Sequence, residues 1–389
     1  MDKKSSIYDS FYCTADKCPI TCCQEWKITV DADTENRWKQ AGHTKAGKNL
    51  CGAITVKDDA HVIKLNMNQK CPFLTEKKLC SLVLEFGDGM LSETCTAFPR
   101  QVLAFPDHKE YSLAACCPEV VDLLKEAKQL TFPSDSSAFL PRVRETLIML
   151  LDRPELSLEK GLMAGFFLLL NLYEKNPEGL DTGKGPENRK GREILEQFWN
   201  PAYLKELSKT MDRMVFKETD TFMERNEWYL DLVENYRKEN LYRQFLDKTV
   251  PAAESISGEK RRLTESYLVK SRGVVLRPWD SFFINYLKQE IYGGFLHPDR
   301  DFKGSIMAFQ WIVLTFAATQ QSIWLLWFAK NDGKTEKAVV YEDVREAVVI
   351  LSRMTGYDDE DIEEYLQNSF ETKIWDWGYL ALLLGNCIM

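Results

Sequence analysis

Ten of the eleven cysteines in this chain fall within its first 117 residues: Cys13, Cys18, Cys22, Cys23, Cys51, Cys71, Cys80, Cys95, Cys116 and Cys117. The eleventh, Cys387, lies near the far end. Ordinary core cysteines scatter, so such polarisation points to a disulfide framework or a metal site, and the compartment decides between them. The opening MDKKSSIYDSFYCTADKC is polar and lysine-bearing, without an apolar h-region or a small-residue cleavage site. No secretory leader is read, and a cytoplasmic location is expected. In a reducing cytosol clustered thiols bind metal more often than they pair, so a metal site is expected here.

Thiolates suit zinc and iron–sulfur clusters alike. The opening Cys13-x4-Cys18-x3-Cys22-Cys23 lacks the C-x2-C pairs common in structural zinc sites. Adjacent cysteines can hardly both turn to one small tetrahedral ion. One can face a bulkier cluster while the other packs or binds elsewhere. Histidine is scarce, at His43, His61, His108 and His297, which disfavours mixed Cys/His fingers. A 4Fe-4S cluster held by four thiolates is therefore favoured, with zinc the alternative. The C-x3-C-x2-C loop of radical enzymes is not matched, because Glu25 stands where its third cysteine would fall.

The residues around the cysteines carry a resemblance. Cys13-x4-Cys18-x3-Cys22-Cys23-x2-Trp26-x-Ile28-x2-Asp31 is followed by Cys71-Pro72-Phe73-Leu74 and Leu79-Cys80. Leu91-Ser92-x2-Cys95-x2-Phe98-Pro99-Arg100 and Cys117-Pro118-Glu119 come next. This series, over about residues 11–120, resembles the bacterial flagellin lysine-N-methylase family and a wider group of small cysteine-rich, zinc- or iron-chelating proteins. Eight positions fit it: Cys13, Cys18, Cys22, Cys23, Cys71, Cys80, Cys95 and Cys117, the metal ligands that the resemblance implies. Cys51 and Cys116 are extras of this chain. A later segment, Phe282-Phe283-Ile284-Asn285-Tyr286-Leu287 followed by Phe295, is similar to the family's asparagine–tyrosine stretch.

The resemblance implies a protein lysine N-methyltransferase that takes its methyl group from S-adenosylmethionine and acts on flagellin, or a similar lysine-rich surface protein. Such a reaction needs a neutral lysine nitrogen aligned with the methyl group in a dry site. Asn285 and Tyr286 are the candidate catalytic residues, able to orient or desolvate the amine; helix packing would explain them equally. Arg100 and Trp26 are the candidate cofactor-binding residues. Arg100 could meet a carboxylate or lie beside a cluster sulfur, and Trp26 could shield the metal from water; a salt bridge and core packing are the ordinary readings. A non-catalytic metal-binding scaffold and an iron–sulfur redox protein are the competing functions.

The elements that must position these residues divide into two textures. Residues 1–130 read as a loop-rich cysteine and metal-binding domain, and 131–389 as a larger helical domain, giving a mainly α fold. Within the first, Lys27–Val30 suits a short strand, Thr34–Gln40 a helix capped near Asp33, and Ala53–Leu65 a hairpin around Asp58-Asp59. Pro118 suits the first turn of a helix, which puts Cys116 and Cys117 at its start. Helices are expected over 139–150, 162–170, 192–198, 202–214, 221–247, 260–271, 280–292, 302–329, 341–355 and 359–370, with a Gly/Pro/charge loop over 176–192. No G-x-G-x-x-G follows a strand and no βαβ alternation is visible, so no Rossmann methyltransferase sheet is expected.

At 389 residues, 44% hydrophobic and 12% aromatic, the chain can bury a sizeable core. Its formal net charge of −9 lies almost wholly beyond residue 130. Such a body repels phosphates, excludes nucleic acid as a partner, and favours lysine-rich ones. The apolar run from Ile306 to Phe328 is interrupted by Gln310, Thr315, Thr319, Gln320, Gln321 and Ser322, and reads as a buried core helix, not a membrane span.

Overall fold

Cysteine, proline, glycine and aspartate recur too often before residue 117 for long helices to form. That stretch folds as short pieces, whereas the apolar i, i+3, i+4 pattern beyond it yields long helices. The computed structural model describes residues 2–45, 47–57, 59–133, 138–175, 189–214, 216–257, 263–334, 337–370 and 373–385. Helix occupies 63% and strand 8%, so the chain is mainly α, and no Rossmann-like sheet occurs among the described residues.

The cysteine-bearing part runs β1 (Lys3–Lys4), α1 (Ala32–Ala41), β2 (Ile54–Lys57), β3 (Ala60–Ile63), α2 (Ser81–Phe86), α3 (Glu93–Ala97), β4 (Arg100–Ala104) and β5 (Lys109–Leu113). The helical part follows with α4 (Pro118–Glu126), α5 (Phe139–Leu150), α6 (Leu158–Lys175), α7 (Arg189–Trp199), α8 (Pro201–Asp212) and α9 (Glu218–Lys238). It ends with α10 (Arg243–Ser257), α11 (Glu265–Val275), α12 (Asp280–Gly294), α13 (Phe302–Asn331), α14 (Tyr341–Met354), α15 (Asp359–Phe370) and α16 (Trp377–Leu384).

The hairpin expected around Asp58-Asp59 is present as the antiparallel pair β2–β3, with Ile54 opposite Ile63. Asp59 takes φ +58° in its turn, and Asp58 lies outside the described residues. The strand expected over Lys27–Val30 does not form. Thr29 makes only an isolated bridge to Val62, and Val30 donates its N–H to His61 at 2.9 Å. The first helix starts two residues earlier than expected, because Asp31, not Asp33, caps it by accepting the Thr34 N–H at 2.8 Å. The single helix expected over Thr221–Asp247 is two. Asn240 (φ +58°) and Tyr242 (φ +50°) turn left-handed between α9 and α10, a break that the surrounding charge pattern hides. The helix expected from Lys260 begins at Glu265, capped by Thr264. Most of the expected 176–192 loop, and Cys387, lie outside the described residues.

The sequence reading missed a three-stranded sheet ordered β1-β5-β4. Arg100 pairs with Leu113 in the antiparallel β4–β5 ladder, and Lys3 with Glu110 in the parallel β1–β5 pair. This sheet lies against α12 at Gly293, where an added Cβ would stand 2.9 Å from Ser112 Oγ and 3.1 Å from Gln101 Oε1.

Two cores result. A small one gathers Ile28, Val30, Trp38, Leu50, Ile63, Phe73 and Leu82. The large one takes in the helices together with Ile7, Phe11, Leu113 and Cys117. The head and tail of the cysteine-bearing stretch are thus built into the helical body, while its middle folds on itself.

The axis of the large core is α13. It is long and apolar enough to cross a membrane, but 89% of its most apolar window is buried inside the protein. Some of its polar residues are bonded internally, Gln321 donating to Asn226 at 3.0 Å and Thr319 to the Thr315 carbonyl at 2.8 Å, while Gln310 Nε2, Thr315 Oγ1 and Gln320 Oε1 are buried without a partner among the described residues.

A bidentate pair fastens the sheet to the helices. Arg144 on α5 donates to both carboxylate oxygens of Glu110 at 2.6 and 2.7 Å, and to the Tyr292 carbonyl at 3.1 Å. Both side chains are buried. Burial alone would raise the Glu110 pKa, but Arg144 and His108 outweigh it and hold the carboxyl below its usual range. Arg144→Ala strands a buried carboxylate and should cost about 3–5 kcal/mol in urea unfolding at neutral pH. The pair's contribution is complete above the ordinary carboxylate pKa and fades as pH falls through the depressed folded-state value. Wild type and variant should therefore converge in acid; a constant difference down to pH 3 would contradict this account.

Candidate metal centre

Each cysteine is presented by a different local device. Cys18 follows a one-turn 3-10 helix, Ala15–Lys17, and its thiol donates to the Ile20 carbonyl at 3.4 Å. Cys23 and Cys71 are joined through the backbone, the Cys71 N–H reaching the Cys23 carbonyl at 2.8 Å. The Cys71-Pro72-Phe73-Leu74 run turns sharply, with the Leu74 N–H on the Cys71 carbonyl at 3.1 Å, and bridges back so that Leu74 faces Cys80. Cys80 and Cys117 are the N-cap residues of α2 and α4. Cys95 lies in the first turn of α3, its N–H capped by Ser92 at 3.2 Å.

These devices turn eight cysteines toward one cavity of about 570 Å³: Cys13, Cys18, Cys22, Cys23, Cys71, Cys80, Cys95 and Cys117. Cys51 and Cys116 are absent from its lining. Trp26, Phe73 and Leu82 supply apolar wall. The sulfurs surround this space instead of converging on a point: among the described residues no three His, Cys, Asp or Glu side chains stand close enough to hold a single ion.

The electrostatics oppose free thiolates. Burial pushes Cys71 up to about 12 against the pull of the Phe73 N–H, and Cys117 up to about 11 against the N–H groups of Val120 and Glu119. Burial also raises Cys18, Cys80 and Cys95. Cys22 donates its S–H to Cys23, which keeps Cys22 protonated and moves Cys23 toward thiolate. Backbone N–H donors already directed at Cys71, Cys80 and Cys117 suit ligand sulfurs, whose charge such bonds stabilise. A partly open space lined by eight thiols, with N–H donors behind several, fits a thiolate-ligated group larger than one ion. Loading it would release protons.

Trp26 and Arg100 both line the cavity. Trp26 donates its indole N–H to the Cys22 carbonyl and meets Phe98 edge-on at 4.9 Å. Arg100 lies at the rim, 4.9 Å over the Phe11 ring, and donates to the Phe11 carbonyl at 3.4 Å. Asn285 and Tyr286 do not line it. Asn285 donates to the carbonyls of Leu124 (3.1 Å) and Ala127 (2.8 Å), closing the end of α4. Tyr286 is fully buried in the large core, where burial raises its phenol pKa.

Arg353 on α14 escaped the sequence reading. This buried guanidinium donates to the carbonyls of Cys116 (3.0 Å), Thr21 (3.2 Å) and Ile20 (3.1 Å), and lies 5.9 Å over the Trp26 ring. The signal was a lone arginine ending the apolar run Val348-Val349-Ile350-Leu351. On α12, burial lifts the Glu290 carboxyl to about 7, against the Ala115 N–H.

Arg353→Met removes three charge-assisted bonds that hold both cysteine loops. A loss of about 2 kcal/mol corresponds to roughly 30-fold more of the locally opened state. Alkylation of Cys18, Cys22 and Cys117 in metal-stripped protein should accelerate by about that factor, with Cys80 unaffected; equal rates in variant and wild type would remove Arg353 from this role.

Comparison with known proteins gives the following. A family model described as the FliB lysine N-methylase C-terminal domain matches residues 144–383. A lysine-N-methylase of Salmonella choleraesuis (strain SC-B67) is 31% identical over 123 residues, 28% of this chain and 29% of that protein. The lysine-N-methylase of Salmonella typhimurium (strain LT2) gives the same identity and coverage. The flagellar biosynthetic protein FliU of Salmonella muenchen is 32% identical over 117 residues, 28% of this chain and 68% of that protein. The aligned segment thus spans under a third of the lysine-N-methylases' length. No solved structure matches.

Proposed function

Because this chain belongs to the FliB lysine N-methylase family, we propose that it is a protein lysine N-methyltransferase. It uses S-adenosylmethionine and carries an iron–sulfur cluster in its thiol cavity, with flagellin, or a similar lysine-rich surface protein, as its cytoplasmic substrate. The observation that carries the reading is the gathering of eight cysteines around one cavity, in a chain whose helical body matches that family.

Methyl transfer to an amine forms a nitrogen–carbon bond as the donor's sulfur–methyl bond breaks; a thioether leaves and the nitrogen sheds a proton. The chain's own residues have three tasks: excluding water, orienting the lysine, and accepting that proton. The cavity's volume lies within the range of about 300–1,000 Å³ typical of small-molecule sites, and its wall is largely apolar. The cluster would be held by four thiolates drawn from the eight cysteines, supplying rigidity to a loop-rich wall or an open position beside the donor.

Glu119 is the best-placed proton acceptor. It lines the thiol cavity and also an external groove with Asp122, Glu126 and Tyr341. Burial, then the carboxylates of Asp122 and Glu126, raise its pKa against the pull of Arg345, which makes it a better proton acceptor than an ordinary carboxylate. The groove also holds Lys125 and Arg345, and Arg345 pairs with Asp122 at 3.0 Å, so Glu119 and Glu126 are the carboxylates that would meet a lysine ammonium.

Anaerobically purified protein, incubated with S-adenosylmethionine and flagellin monomers, should add methyl groups to lysines, read as methylene-sized mass increments. Cys71→Ser should abolish the activity and release the metal that Cys71 helps to hold. Glu119→Gln should lower kcat by about 100-fold or more with metal content unchanged. Metal-replete wild-type protein that binds flagellin without methylating it would favour the scaffold reading instead.

A further inference from the structure

The eight cavity thiols are not equivalent, and their division follows the two hydrophobic cores. Cys23, Cys71, Cys80 and Cys95 pack against the small core of Ile28, Trp38 and Phe73. Cys117 belongs to the large core, and so does Phe11, two residues before Cys13; Ile20, which accepts the Cys18 thiol, packs against the same core. Backbone bonds respect this division: Cys23 to Cys71 directly, and Cys71 to Cys80 through the Leu74 turn. On the other side Arg353 ties Ile20, Thr21 and Cys116 together, the carbonyls beside Cys18, Cys22 and Cys117.

Sulfur–sulfur neighbourhoods agree. Cys71 senses the charges of Cys23, Cys80 and Cys95, and Cys95 those of Cys23 and Cys80. Cys18 senses Cys13, and Cys117 senses Cys18. Cys22 lies at the boundary: its S–H is donated to Cys23 and it also neighbours Cys95, but the carbonyl before it is held by Arg353. The first group has four thiols without Cys22, while the second has three. Its sulfur would join the second group by rotating about χ1, away from Cys23 and Cys95.

We infer that the cavity holds two separate thiolate-ligated metal centres. One is bound by Cys23, Cys71, Cys80 and Cys95 on the small core. The other is bound by Cys13, Cys18 and Cys117, with Cys22 as fourth thiolate, at the seam with the helical body. The Cys22-Cys23 peptide is their shared wall. This explains why two adjacent cysteines lie in one site: each serves a different centre, where a single centre could use only one of them. The inference rests on the metal reading above and deepens it by assigning the ligands.

The test is anaerobic purification of the full chain with iron, acid-labile sulfide and zinc counted per chain, alongside circular dichroism. Wild-type protein should hold two centres. Cys80→Ser and Cys117→Ser should each retain about half of the wild-type metal, and Cys51→Ser all of it. One centre in the wild type overturns the inference, whatever the variants do, and so leaves the test decisive if a variant fails to fold. Folded Cys80→Ser and Cys117→Ser proteins that both lose everything would overturn it too. A wild-type chain without metal overturns the metal reading itself, a result distinct from a count of one.

Discussion

The join between the cysteine-bearing layer and the helical body depends on Arg353. A guanidinium cannot shed its charge, so burying one is tolerable only if its donors are satisfied. Here they are met by carbonyls of two separate cysteine loops, which makes the helical body and the thiol layer conditional on each other. The same cation lies beside Cys18, Cys22, Cys23 and Cys117, where it favours thiolate in an otherwise apolar enclosure. One side chain thus serves as both fastener and counter-charge. The Arg144–Glu110 pair repeats the fastening at the sheet, without the electrostatic duty.

The layer built on these fasteners has little regular structure, yet it aims eight side chains inward. It does so by ending elements at cysteines: α2 and α4 begin there, and a tight turn separates Cys71 from Cys80. Helix starts offer free N–H groups, so the positions that stop regular structure are also those that best stabilise a sulfur anion. The helical body contributes stiffness through α13, which is buried along most of its length and bonded to α9 through Gln321 and Asn226.

Legibility in the sequence followed the range of the interactions. The Pro118 helix start, the β2–β3 turn and the long helices rest on local rules, and all were readable. The α9–α10 break was not, because Asn240 and Tyr242 carry no glycine or proline to announce it. The β1-β5-β4 sheet was missed because its strands are short and its first member arrives from the opposite end of the layer. The eight cysteines that the family resemblance implies as ligands all line the cavity, their motifs being short local runs of sequence. Arg353 was invisible for the opposite reason: its partners lie more than 200 residues away, and only the fold brings them together. Asn285 and Tyr286 came from a short likeness; the fold gives them duties inside the core.

That separation also has a consequence in time. All eight cavity cysteines have been synthesised by residue 117, whereas the arginine that anchors them follows 237 residues after Cys116. At the usual rates of chain elongation, about 5–20 residues per second, the nascent thiols wait some tens of seconds for their fastener. During that interval the group on the small core has its own hydrophobic support, and the group at the seam has none. Assembly on the ribosome is therefore ordered: the first set of sulfurs can be organised while the chain is still growing, and the second only once the helical body has closed behind it.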